Sequence, residues 1–500
     1  MFTYFTYAMQ SIFSPFNFML AVLGTLVGII FGAIPGLNGT LAVILFMPVT
    51  YKMSAATAIV FLMCLWIGGA SGGFIGSVLL GIPGTPASVA TCFDGYPMAK
   101  KGQAGKALAV GMTASLIGTV LASIIGGLLS EPIAEIAFLM GPWEYFGLCF
   151  LAITLVIAVS KGNILKGLAS ACIGLLISSI GLSPIDAEAR FVFDNVQLLG
   201  GVGNLPLMIG LFGFTMIFFE YAKGFEKNPE VMPYKMKGIG IPFKDVVANI
   251  KNIIRSFVVG LGIGFLPGMG AGLSNIVAYS MAKNASKDPE SFGTGNPEGV
   301  WASEVSNNAA CGGAMIPMVS LGIPGDSTTA VLIGALTLHG LEMGPMVFKN
   351  SGNIVYLMYY TVIICAIFSF IYQRLGVGLF PKILKLPYYY LYPALLLVSM
   401  ASAYIDSSSI YRCGMTIVFA IVGILMKLGG LPTSPLLLAF ILGPTLEMNM
   451  LKGFQYSGTA LSFVTRPISA VFIAIGVFSI IRGIIGERKV AKNKTNKEKK

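Results

Sequence analysis

Gly81 to Leu108 reads G-I-P-G-T-P-A-S-V-A-T-C-F-D-G-Y-P-M-A-K-K-G-Q-A-G-K-A-L, and the rest of the chain is best read outward from it. The stretch emerges from an apolar run, yet it carries Pro83, Pro86 and the small hydroxyl residues Thr85, Ser88 and Thr91. Each proline removes a backbone donor and disfavours helix at the residue before it. Interrupted backbone in apolar surroundings survives only where protein or a watered cavity satisfies its polar groups. A second G-I-P-G stands at Gly322–Gly325, followed by D-S-T-T. Gly/Pro breaks at matching points of two halves predict a binding region built from broken helices.

Composition fixes the class around that stretch. Of 500 residues, 55% are hydrophobic and only 11% are charged, against about 25% charged in a soluble domain. Apolar runs near membrane-crossing length recur from end to end and predict about ten to twelve spans. The expected fold is an all-α polytopic membrane protein. The net charge of +11 does not point to nucleic acid, because Arg488–Lys500 alone holds seven basic residues and one acid. We read residues 487–500 as a solvated cytoplasmic tail. The seven cysteines form no C-x-x-C pair and read as small core residues, without a disulfide framework or metal site. The chain's start lacks a basic region, so the first span is expected to serve for insertion itself.

Apolar segments at 15–34, 55–80, 105–129, 145–160, 163–182 and 204–222, with a further stretch reaching Pro48, make a first membrane repeat over 15–222. Residues 223–255, with seven Lys/Arg and three acids, read as a cytoplasmic linker. A second repeat over 256–486 follows. Gly260, Gly264, Pro267 and Gly268 reproduce Gly28, Gly32, Pro35 and Gly36 at one constant offset, and L-G-I-P-G recurs at Leu80 and Leu321. Ordered matches of this kind indicate internal duplication. Basic residues mark the cytoplasmic side. Lys100, Lys101 and Lys106 cluster in one loop whose counterpart has only Lys349, while Arg374–Lys385 is basic and Glu131–Trp143 is not. That alternation predicts inverted topology of the two repeats. The glycine ladders at 24–36 and 260–272 allow close helix packing, within the chain or between chains.

The breaks near 35–40, 83–91, 267–275 and 324–329 expose helix ends. Half-helix N-termini present unbonded N–H groups that suit a carboxylate. Unwound carbonyls with Asn, Ser and Thr oxygens suit a hard cation such as sodium. The candidate substrate- and cation-binding residues are Gly36, Asn38, Thr40, Gly84, Thr85 and Ser88 in the first half. In the second they are Gly268, Ser274, Asn275, Asn307, Asn308, Gly325, Asp326, Ser327 and Thr328. An isolated Ser or Thr here more often bonds its own backbone; clustering at matched breaks favours binding for the group. Asp326 is a functional candidate by default, as cation ligand or proton carrier, with a surface residue as the alternative if its motif lies shallower. Glu304, ahead of Asn307 and Asn308, suits either a helix cap or a cavity wall. Asp94, Lys100, Lys101 and Lys106 read as a cytoplasmic turn. The lone His339 has no partner spacing for a metal, and G-Q-A-G-K-A lacks the P-loop frame. No catalytic constellation stands out, so the chain is not read as an enzyme.

The Gly81–Leu108 stretch is similar to the signature of the TctA family, the large membrane subunits of tripartite tricarboxylate transporters. P-G-L-N-G-T at 35–40, N-P-E-G-V-W-A-S-E-V-S-N-N-A-A-x-G-G from Asn296 and L-G-I-P-G-D at 321–326 resemble further family motifs. The likeness runs from about residue 20 to about 470. Trp301-Ala302-Ser303-Glu304 departs from the Ala-Ala-Pro-Glu expected there. The resemblance implies a secondary transporter driven by a sodium or proton gradient, with no cofactor beyond the coupling ion. It implies two partners, a small membrane subunit and a periplasmic solute-binding protein. It also implies import of citrate or other tri- and dicarboxylates across the bacterial inner membrane, with a cytoplasmic C-terminus. An anion channel and a membrane-embedded enzyme using Asp94, Glu298 or Glu304 are the rival readings.

Overall fold

Backbone that runs through apolar surroundings has to bond to itself, and this chain does so as helix. The computed structural model describes residues 4–159, 164–222, 243–384, 388–407 and 409–498. Most of the predicted linker and the side chains of the basic tail lie outside the described residues. The chain opens with α1 (Phe5–Ile12) and α2 (Pro15–Ala33), breaks, and continues as α3 (Gly39–Phe46) and α4 (Ala55–Leu80). A second break leads through a 3-10 turn at Pro86–Ser88 into α5 (Val89–Lys100) and α6 (Ala104–Phe138). Then come α7 (Pro142–Val159), α8 (Ile164–Ser178), a hairpin of β1 (Gly181–Leu182) and β2 (Ala189–Arg190), α9 (Asn204–Met208), a π-helical turn at Ile209–Phe214, and α10 (Thr215–Ala222). Past the linker run α11 (Phe243–Ala248), α12 (Ile250–Phe265), α13 (Gly270–Ala285), α14 (Pro297–Leu321), α15 (Ser327–Leu338), α16 (Val347–Gly376), α17 (Phe380–Ile383) and α18 (Tyr388–Ser407). The chain closes with α19 (Ile410–Leu428), α20 (Thr433–Ser457), α21 (Ser462–Thr465) and α22 (Pro467–Glu498).

Among the described residues, eight helices are long and apolar enough to cross a membrane. Shorter apolar helices include α15 and the stretch from Gly39 to Thr50. The protein is therefore an all-α, multi-pass membrane protein. Two compact units divide it: one joins Met1–Ala134 to Met216–Asp406, the other joins Glu135–Thr215 to Ser407–Lys500. Each unit draws on both sides of the linker, so the units do not coincide with the sequence halves.

In the first unit the same order of elements occurs twice. A helix, a Pro-Gly break and a second helix precede a long central helix, a G-I-P-G break and a short helix: α2 to α5, then α12 to α15. The central helices α4 and α14 are buried nearly all round, Ala58–Leu80 apart from Ala70 and Gly299–Ser320 throughout. Glycine makes this possible. A Cβ on Gly28 would lie 2.5 Å from the Leu65 carbonyl oxygen, and one on Gly32 would lie 2.1 Å from that of Gly69. In the second set, a Cβ on Gly260 would lie 2.4 Å from the Ser306 oxygen and one on Gly264 would lie 2.2 Å from that of Ala310. Here the glycine ladders serve contacts within the chain: α2 against α4 and α12 against α14. Trp301, at the departure from the family tetrapeptide, is 1% exposed and packs in a core with Phe74, Met98, Phe257 and Val305. Without the expected proline, α14 runs through it unbroken.

The second unit follows the same chemistry more sparingly. A Cβ on Gly174 would lie 2.3 Å from the Leu436 oxygen, which holds α8 against α20. Arg190 of the hairpin pairs with Glu447, Nη2 to Oε2 at 3.1 Å. The Arg466 guanidinium stacks on Trp143, 3.7 Å from the ring centroid.

Gly264→Ala and Gly32→Ala should each destabilise the purified protein by about 1–3 kcal/mol, since an added methyl meets backbone that cannot yield. Gly262 sits between Gly260 and Gly264 on α12 but has nothing within 4 Å of its Cβ position. Gly262→Ala should therefore leave the melting temperature unchanged or raise it, as helix propensity favours alanine. Thermal unfolding of the three variants in one detergent checks the contrast.

Candidate functional site

The interruptions of the first unit are built on glycines whose backbone angles disfavour any side chain. Gly36, Gly81, Gly268 and Gly322 have φ of +90°, +68°, +74° and +70°. Backbone groups of the interruptions then bond to the central helix beside them or to another interruption. Gly84 N–H donates to the Gly73 carbonyl at 3.3 Å, and a Cβ on Gly84 would lie 2.1 Å from the Gly32 oxygen. Gly268 N–H donates to the Gly325 carbonyl at 2.7 Å, and a Cβ on Gly325 would lie 2.6 Å from the Gly264 oxygen.

Several predicted residues cap the helices that restart after the breaks. Asn38 Oδ1 accepts from Leu41 N–H at 2.8 Å, opening α3. Asp326 and Thr329 cap each other: Oδ1 accepts from Thr329 N–H at 2.8 Å, and Asp326 N–H donates to Thr329 Oγ1 at 2.9 Å. Ser88 Oγ accepts from Thr85 N–H at 3.3 Å and donates to the Gly73 carbonyl at 3.1 Å. Ser274 Oγ donates to the Ser306 carbonyl at 3.2 Å, tying α13 to α14.

Those restarting helices are brought together. Thr40 and Thr328 each hold the second position of their helix, and their hydroxyl oxygens lie 2.5 Å apart. The first turns of α3 and α15 are thus side by side. A Cβ on Gly270, where α13 begins, would lie 3.0 Å from Asp326 Cβ, so the start of α13 borders that of α15. Asn275 Nδ2 in α13 donates to the Pro86 carbonyl at 3.4 Å, reaching back to the second break. Ser327 opens α15 and Gly36 shapes the turn before α3. The first amides of a helix have no intrahelical partner and carry its positive end. Among the described residues no Lys or Arg is fully buried, so the positive ends in this interior are helix amides, with the Asp326 carboxylate capping that of α15.

Asn307 and Asn308, adjacent in sequence, go to different places. Asn308 Oδ1 accepts from Ser71 and Thr119 hydroxyls at 3.1 and 3.2 Å, and its Nδ2 donates to Ser115 Oγ at 2.9 Å. It is a satisfied tie between α14, α4 and α6. Asn307 instead lies against Ala70 and Glu304. Glu304 is wholly buried within α14 rather than capping it, and Thr91 Oγ1 donates to its Oε1 at 2.5 Å. Glu304, Ser71, Thr91, Ser115 and Thr119 are absent from the sequence-derived binding set. A carboxylate preceding two asparagines in a buried helix was a usable signal for the first; single hydroxyls carry none.

Asp94 departs from its expected place in an exposed turn. Lys100, Lys101 and Lys106 are exposed, but Asp94 is fully buried. Its Oδ1 accepts from the amides of Gly293, Gly295 and Asn296 at 2.9, 2.8 and 2.8 Å, and its Oδ2 accepts from Tyr279 Oη at 2.8 Å. The carboxylate is an anchor for the loop that leads into α14.

A model of the family described as Tripartite tricarboxylate transporter TctA matches residues 18–438. An uncharacterized 52.8 kDa protein in the TAR-I ttuC' 3' region of Agrobacterium vitis is 31% identical over 477 residues, 95% of each chain. An uncharacterized protein in the TAR-II ttuC' 3' region of the same organism is 34% identical over 224 residues, 45% of this chain and 93% of the relative. No solved structure shows a significant match.

Removing the Asp94 carboxylate strands buried donors, which cost about 1–3 kcal/mol each. Asp94→Ala should lower the unfolding temperature sharply and speed tryptic cleavage after Lys287. Tyr279→Phe, which gives up one bond, should cost about 1 kcal/mol. Calorimetry and timed proteolysis in detergent measure both.

Proposed function

Because the chain belongs to the tripartite tricarboxylate transporter TctA family, we propose that it imports tri- and dicarboxylates such as citrate by cation-driven alternating access. In this reading it is the large membrane subunit, seated in the bacterial inner membrane with its C-terminus cytoplasmic. It works with a small membrane subunit and a periplasmic solute-binding protein, as the tripartite description of the family implies.

The observation that carries the reading is the pairing of the α3 and α15 N-termini through Thr40 and Thr328. A carboxylate placed there accepts from first-turn amides of two helices at once. The two hydroxyls exchange their mutual hydrogen bond for bonds to a charged acceptor, which are the stronger kind. Each helix end adds about 0.3–1 kcal/mol, more where partly buried. With no fully buried Lys or Arg among the described residues to share the charge, a co-transported cation, sodium in our reading, balances the multivalent anion. The breaks supply the mobility: short helices held by glycine turns can shift as units while the buried α4 and α14 stay fixed.

Uptake of labelled citrate and smaller carboxylates into proteoliposomes, with both partner subunits present, tests the proposal. Saturable uptake that collapses without a sodium gradient is expected. Thr328→Val should raise KM by about tenfold, the loss of one hydrogen bond to a charged group. Uptake indifferent to every cation gradient, or absent for every acid, would leave the family assignment standing and overturn the coupled mechanism.

A further inference from the structure

We propose that Glu304, Asn307 and the α4 backbone at Ala70 form an oxygen-lined binding site for one sodium ion. The assignment rests on the cation-driven reading above and names the residues that serve it.

Glu304 stands in the third turn of α14 with none of its surface exposed. Among the described residues no Lys or Arg approaches it within ion-pair distance, and none is fully buried anywhere. A buried carboxylate without a counter-charge is expensive. Its two oxygens are served unequally. Oε1 has the short bond from Thr91 at 2.5 Å. Among the described residues Oε2 has only Ser115 Oγ and Asn307 Nδ2, each at 3.4 Å, the outer limit for a hydrogen bond. The oxygen that faces Asn307 is thus the one left short of positive charge.

Asn307 supplies a second, separate observation. It is fully buried, and its Nδ2 lies 3.4 Å from both Glu304 Oε2 and the Ala70 carbonyl oxygen. Among the described residues its Oδ1 has no donor. An orphaned buried acceptor is rare and calls for a ligand or a purpose. A half-turn of the carboxamide exchanges its two ends, which have nearly the same shape. Oδ1 then takes the place of Nδ2, 3.4 Å from both Oε2 and the Ala70 oxygen. Three oxygens, one bearing a full negative charge, repel one another unless a cation sits among them. One cation therefore balances the carboxylate and gives the orphaned oxygen a partner, while the Nδ2 donors turn to the side that Oδ1 leaves.

The donor set selects the ion's class. Oxygen alone suits a hard cation, and a single carboxylate matches a single positive charge. Among the described residues no group of three His, Cys, Asp or Glu side chains stands ready for a transition metal. The helix that carries the site is also tied to one that borders the helix ends. Ser306, next to Asn307, accepts from Ser274 of α13, whose first turn borders that of α15. A cation bound on α14 adds positive charge to the same compact unit that holds the paired N-termini.

Binding of 22Na+ to the purified full chain, without substrate or partner subunits, tests the site. Melting temperature is followed in parallel against sodium at constant ionic strength, with N-methyl-D-glucamine as the replacement cation. Wild type should bind saturably and melt higher as sodium rises, since a ligand for the folded state alone stabilises it. Glu304→Gln and Asn307→Leu should each weaken binding by about tenfold or more, whereas Asn307→Asp, which keeps the oxygen, should retain it. If Glu304→Gln does not fold, the Leu and Asp variants at 307 decide. Wild-type 22Na+ affinity in Glu304→Gln or Asn307→Leu would overturn the assignment. So would a wild-type protein whose melting answers to pH but not to sodium, because a proton then balances Glu304. Sodium-driven carboxylate uptake that survives in Glu304→Gln removes the site and keeps the transport reading. Saturable 22Na+ binding that depends on Glu304, without uptake of any acid, does the reverse.

Discussion

Every break in a helix inside an apolar protein strands backbone N–H and C=O groups beyond the reach of bulk water, and here those groups meet one another. Gly268 bonds Gly325 and Gly84 bonds Gly73, so three of the four breaks bond to another break or to the central helix beside them. The rest of the first unit follows from that requirement. The segments must touch backbone to backbone, which only glycine permits at Gly32, Gly84, Gly264 and Gly325. The helices that restart beyond them are short, and their N-termini are carried into the interior together. Among the described residues no Lys or Arg is fully buried there, so the positive ends available are those of helix amides, one of them already capped by the Asp326 carboxylate.

Two buried carboxylates show how environment assigns different work to the same group. Asp94 is surrounded by three amides and a phenol, and its lone pairs are taken; it fixes a loop. Glu304 has one good donor on one oxygen and only distant contacts on the other. Saturation makes the first a structural anchor, and its lack leaves the second open to a cation. The same contrast separates Asn308, bonded on both ends of its carboxamide, from Asn307, bonded weakly on one. In a low-dielectric interior such differences decide which groups bind and which merely hold.

Much of this architecture was legible in the sequence because it depends on local rules. The apolar runs at 15–34 and 55–80 became α2 and α4 with hardly a change of boundary. The repeated G-I-P-G located the second and fourth breaks, and the spaced glycines located the closest helix contacts. Local rules failed where a residue's partner lies far away in sequence. Thr40 meets Thr328, Asp94 meets the loop at 293–296, and Ser71 and Thr119 meet Asn308. None of those pairings has a spacing that a linear reading detects. The run at 105–129 was expected to end before Glu131 and Pro132, yet α6 continues to Phe138. Tyr356 donates to Glu131 there, so a tertiary contact supports a charged residue that a local reading takes as a stop. The π-helical turn at Ile209–Phe214 and the small hairpin left no periodic signal.

The central claim is that the starts of α3 and α15 lie side by side and hold the carboxylate between them. Paired cysteines test it most directly: Thr40→Cys with Thr328→Cys, in a chain carrying a protease site between the two positions. After mild oxidation in native membranes and cleavage, the two fragments should stay joined until a reductant is added. Saturating carboxylate should slow the joining, because it occupies the space the two side chains share. Fragments that separate fully under oxidation, with each single-cysteine variant folded, would contradict the pairing and with it the proposed site.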